Sequence, residues 1–144
     1  FFILFGIGLL RLVQHVGRFK KIGLIAALDF ILVGFLNLLT ATVFPQDASG
    51  APATFYGEMH IIISGVLSIF SILYMILFGI WFYRTRLAPF FLTYSIVTII
   101  GVFLSAGWYM ASYGGPIMGL AERVTVLVGF QWVILLAVIV LKND

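Results

Sequence analysis

Long apolar runs alternate along this chain with short polar or turn-forming segments. Five runs stand out, at roughly 1–17, 22–44, 58–83, 87–110 and 122–141. None shows the period-two alternation, about ten residues long, that a transmembrane barrel strand requires. Each approaches the roughly 20 residues with which a helix crosses the hydrocarbon layer. Helices also satisfy their own backbone where no water is available. The pattern therefore predicts an all-α, polytopic transmembrane helix bundle with five spans. A single domain over 1–144 is expected, because such helices bury their faces against one another. The first run is expected to begin before Phe1. Arg11, Gln14 and His15 stand towards its end, where a signal peptide would need small residues for cleavage, so it reads as a span.

The breaks between runs are chemically marked. Pro45 closes the second run, and "ASGAPA" (48–53) is small, turn-forming sequence. "SYGGPIMG" (112–119) breaks the chain before the fifth run, and Pro89 suits the first turn of the fourth. Charge then orients the bundle. Arg18, Lys20 and Lys21 lie between runs one and two, Arg84 and Arg86 between three and four, and Lys142 after five. By the positive-inside rule these loops and the C-terminus are expected in the cytoplasm of a multi-pass cell-membrane protein. Loops 45–57 and 111–121 are then extracytoplasmic.

Composition agrees with this picture and narrows it. Of 144 residues, 63% are hydrophobic and 9% charged, against about 25% charged in a soluble domain. The mean hydropathy is +1.22. Cysteine is absent, which excludes disulfides, thiolate metal sites, Cys nucleophiles and c-type haem attachment. The net charge of +3 is no nucleic-acid footprint, since the basic residues sit at run ends rather than on a patch. The lipid bilayer, and other membrane protein subunits, are the expected partners.

Polar residues inside the runs fall on shared helix faces. Asp29, Asn37 and Thr40 lie within an arc of about 80°. His60, Ser64, Ser68 and Ser71 form a stripe on the third run; Tyr94, Thr98, Gly101, Ser105, Trp108 and Ser112 form one on the fourth. Small and hydroxylated stripes are chiefly packing devices in membrane bundles. Asp29 is different, because a carboxylate within a span normally faces a partner or a cavity. Arg11 or His15, four apart on one face, are its expected partners. A bis-histidine haem is excluded, because His15 and His60 belong to opposite membrane faces in this topology.

The stretch "FPQDASGAPATFYGEMH" (44–60) gathers Asp47, Glu58 and His60 into one loop. Such oxygen and imidazole groups suit a divalent cation such as Zn²⁺ or Mn²⁺. Glu58 and His60 nevertheless diverge by about 200° on a regular helix. No cofactor and no metal site is therefore expected, with a divalent ion at Asp47 and His60 as the alternative. Asp47 could equally cap a turn, and Glu58 would sit favourably at a helix N-terminus.

These residues also carry a resemblance. "VFPQDASG…TFYGEMH" resembles the Phe-Pro-x-Asp then Gly-x-x-His pattern of the bacterial and archaeal "domain of unknown function 998" family of integral membrane proteins. "GLAERVTVLVGFQWVILL" (119–136) is similar to its Gly-Leu-x-Glu-Arg segment before a tryptophan-bearing last helix, and "GRFKK" stands where that family places a basic loop. The resemblance implies six spans, of which the first, with its Ser-x-Leu-Gly outer loop, is missing here. It points to Phe44, Pro45, Asp47, Gly57, His60, Glu122 and Arg123, and implies no reaction. With Glu122 and Arg123 opening the fifth span, an outer-face cluster of Asp47, His60 and Arg123 is expected, with Glu122 beside it. Ligand-binding candidates are Asp47, Glu58, His60 and Arg123.

Three function classes follow. A structural or accessory membrane subunit, its outer polar cluster locking the loops, is the leading expectation. A lipid- or amphiphile-binding protein, with Arg123 on an anionic head, is the alternative. A membrane-embedded hydrolase or transferase, with His60, Asp47 and Glu122 as catalytic candidates, is the third; the chain leans away from being an enzyme. Transport is disfavoured by the lack of paired broken helices.

Overall fold

The computed structural model describes residues 1–48, 51–112 and 114–143. The "ASGAPA" and "SYGGPIMG" turns include Ser49, Gly50 and Tyr113, which lie outside the described residues. Among the described residues the structure is all-α, with five helices: α1 Phe2–Val16, α2 Lys20–Thr42, α3 Phe55–Thr85, α4 Phe90–Ala111 and α5 Met118–Asn143. By length and composition α2 to α5 are long and apolar enough to cross a membrane, and α1 is a shorter apolar helix. α1 spans about 22 Å at 1.5 Å per residue, whereas α3 is about 46 Å long and exceeds a 30 Å hydrocarbon core.

Local chemistry sets the helix ends. Gly17 closes α1 in the left-handed region, at φ 68°, with its N–H bonded to the Val13 carbonyl. α3 begins at Phe55, ahead of the expected Glu58, because Thr54 caps it: the Gly57 N–H donates to the Thr54 hydroxyl at 3.2 Å. α4 begins after Pro89 rather than at Leu87. α5 begins at Met118, because a turn through Gly114, at φ 74°, lets Ile117 accept from Leu120 and Ala121. Glu122 and Arg123 thus lie in the second turn of α5 and do not open it.

The chain divides into two compact units, Phe1–Trp81 and Phe82–Asp144, so α3 runs from the first into the second. In the first unit, α1 packs closely on α2. Glycines permit the approach: a Cβ at Gly34 would lie 2.8 Å from that of Phe2, and one at Gly6 would collide with Ile31. Leu9, Leu12, Val13, Ala26, Ala27, Phe30 and Val33 are buried. The Phe30 ring meets Phe2, Phe5 and, on α3, Tyr74 at 5.2, 5.7 and 5.0 Å. Trp81 donates its indole N–H to the Arg18 carbonyl at 3.2 Å, joining α3 to the α1–α2 turn.

In the second unit, α4 packs on α5. The Trp132 indole N–H donates to the buried Ser95 hydroxyl at 2.9 Å, and Ser95 donates to the Phe91 carbonyl at 2.7 Å. Gln131 donates from its amide to the Thr98 hydroxyl at 3.1 Å. The Phe91 and Trp132 rings lie 4.9 Å apart, tilted at 38°. Ser95 and Thr98 of α4 thus accept bonds from α5, and such interhelical hydrogen bonds help to hold membrane helices together.

Candidate functional site

The loop between α2 and α3 is built around one carboxylate. Asp47 accepts the Thr54 N–H on Oδ2 at 2.8 Å and the Thr54 hydroxyl on Oδ1 at 2.7 Å. The same hydroxyl accepts the Gly57 N–H, so carboxylate, hydroxyl and helix N-terminus form one relay. These bonds hold the Asp47 carboxyl below the usual carboxylate range, the backbone N–H of Thr54 being the largest cause. Gly57 is buried and must be glycine, because a Cβ there would run into the Asp47 carboxyl group.

His60, one helical turn further on, ties α3 back to the end of α2. Its Nδ1 lies 2.8 Å from the Phe44 carbonyl oxygen. A carbonyl only accepts, so His60 donates from Nδ1. The Phe44 and Tyr56 rings are 6.3 Å apart across the same loop. Glu58 is exposed in the first turn of α3, where the helix dipole favours a negative charge.

Asp47 is thus bonded to Thr54 rather than to His60. Among the described residues, no group of three His, Cys, Asp or Glu side chains could hold a metal ion. Glu122 and Arg123 belong to the second unit. Both are exposed, and with Val126 and Leu127 they line an open cleft of about 440 Å³ on α5.

Within the spans, Asp29 is buried at 7% exposure, and neither carboxylate oxygen has a hydrogen-bond partner. The expected contact with Arg11 or His15 is not formed; both side chains are exposed on α1. On insertion scales a charged side chain at such a depth costs roughly 2.5–3.5 kcal/mol. Asn37 is exposed and turns its amide back to the Val33 carbonyl at 3.0 Å, while buried Thr40 bonds the Asn37 carbonyl at 2.9 Å. Those two satisfy themselves on their own helix. Thr54 was not singled out in the sequence; a Thr three residues before the Gly of "TFYGEMH" is its N-cap signal. Nor were Ser95 and Gln131, although an amide inside an apolar run is itself a signal for interhelical bonding.

A family model described as "Protein of unknown function (DUF998)" matches residues 1–139. The chain belongs to this family. No curated protein and no solved structure matches it. Membership in DUF998 and the long apolar helices together make it an integral, multi-pass membrane protein of unknown activity. The structure also supplies a physical reason for the motif positions that suggested DUF998. Phe44 receives the His60 bond, Asp47 holds Thr54, and Gly57 leaves room for the carboxylate. Pro45, between Phe44 and Asp47, stops α2 from continuing.

Proposed function

We propose that this DUF998 protein is a structural or accessory subunit of the cell membrane, and that its 44–60 segment is a clasp joining two membrane helices. One observation carries the reading: both Asp47 oxygens and His60 Nδ1 are engaged by the loop itself. A side chain poised for catalysis or ligation keeps its reactive atoms directed at a substrate. Charge asymmetry supports an extracytoplasmic clasp, with Arg18, Lys20, Lys21, Arg84, Arg86 and Lys142 on the cytoplasmic side.

Amphiphile binding is the second reading, favoured by the cleft beside Arg123. A guanidinium bordered by Val126 and Leu127 offers an anionic headgroup a charge and its chain an apolar wall. Hydrolysis or group transfer would have to use His60 Nε2 together with a carboxylate such as Glu122.

Native mass measurement of the protein extracted with its surrounding lipid separates these readings. The accessory reading expects a fixed stoichiometry with another membrane protein, retained when Arg123 is changed to Ala. A monomer that carries one lipid class and loses it in Arg123→Ala would overturn it in favour of the amphiphile reading.

A further inference from the structure

Asp29 takes no part in the clasp. It lies about 14 Å along α2 from Lys20, at 1.5 Å per residue, well inside the apolar run. Both carboxylate oxygens are buried and unpartnered, and the neighbouring Phe30 ring is enclosed by aromatic rings from α1 and α3. Among the described residues, the elements around it supply no cation to the carboxylate. On α1 the ionisable side chains are Arg11 and His15, both exposed. On α2 itself, Lys20 and Lys21 are exposed at the far start of the helix. From α3, Tyr74 stands against the Phe30 ring at 5.0 Å. A phenol offers no positive charge. An ionised carboxylate so placed would stand uncompensated, and buried groups of that kind neutralise instead.

We propose that Asp29 is a proton-binding site within the membrane-embedded part of the protein, its carboxyl group held as the neutral acid at neutral pH. The ligand is a single proton on a carboxylate oxygen. No metal cation is required, because one oxygen pair without further donors is a poor coordination sphere for a divalent ion. The site is independent of the clasp, and its occupancy does not depend on the function proposed for the 44–60 segment.

Infrared spectroscopy of the full chain in lipid nanodiscs at pH 7 tests this directly. The chain has only five Asp and Glu residues, so the carboxyl region is simple. The wild type should show the carbonyl stretch of one protonated carboxylic acid, shifting on transfer to D₂O. That band should vanish in Asp29→Asn, which resembles the neutral acid in shape, and persist in Asp47→Asn. Should Asp29→Asn fail to fold, Asp29→Glu provides the second variant and should keep the band at a displaced frequency. Absence of any acid band in the wild type at pH 7 would overturn the proposal, as would its survival in folded Asp29→Asn. An unshifted band in Asp29→Glu would overturn it equally.

Discussion

At the residue scale, the clasp rests on what each side chain can accept or donate. Asp47 is an acceptor with two oxygens, and Thr54 offers it both a backbone and a side-chain donor. Because the folded carboxyl group titrates below its ordinary value, its contribution is complete above the unfolded carboxylate range, near pH 4. It is lost only as pH falls through the lower folded value. Hydrogen exchange should therefore find the Thr54 amide protected at pH 5 and exposed only in stronger acid. Asp47→Asn should weaken that protection and remove its pH dependence, and Gly57→Ala should weaken it at every pH by filling the carboxylate's seat. His60→Ala leaves the Phe44 carbonyl without its donor and should lower the melting midpoint with less effect on Thr54. The sequence exposed Asp47 and His60 as unusual but not their partners. Thr54 is an ordinary residue, and a backbone carbonyl such as that of Phe44 leaves no mark on sequence at all.

Among the elements, hydrophobic length determined where helices exist, whereas caps determined where they begin and end. The five apolar runs and five helices correspond because a stretch of that hydropathy has few other ways to satisfy its backbone. Their edges differ by up to four residues, since Thr54 and the Gly114 turn extend α3 and α5 beyond their apolar parts. Pairing was less legible. Small residues on α1 and α2 are consistent with close packing, but only the fold shows that Ser95 receives Trp132 and that Gln131 reaches Thr98. Interhelical bonds of this kind average about 0.6 kcal/mol when measured by double-mutant cycles in a membrane protein. A cycle of Ser95→Ala and Trp132→Phe, read by unfolding in mixed micelles, should return a coupling energy of about that size. Strict additivity of the two changes would show that the contact contributes nothing.

At the scale of the whole molecule, this is a multi-pass DUF998 protein in which Asp47 and His60 bond within the 44–60 segment and Ser95 and Thr98 accept bonds from α5. Its basic residues carry the expected orientation, since all but Arg11 and Arg123 stand at the run ends or tail expected on the cytoplasmic side. The absence of cysteine makes the decisive measurement clean, because each introduced thiol is unique. Single cysteines at Ala51, Lys21 and Arg84 can be exposed to a membrane-impermeant thiol reagent in intact cells and again after lysis. Position 51 should react in intact cells, and positions 21 and 84 only once the membrane is opened. Labelling of positions 51 and 21 from the same side would contradict a membrane-crossing α2, and with it the clasp at the outer surface.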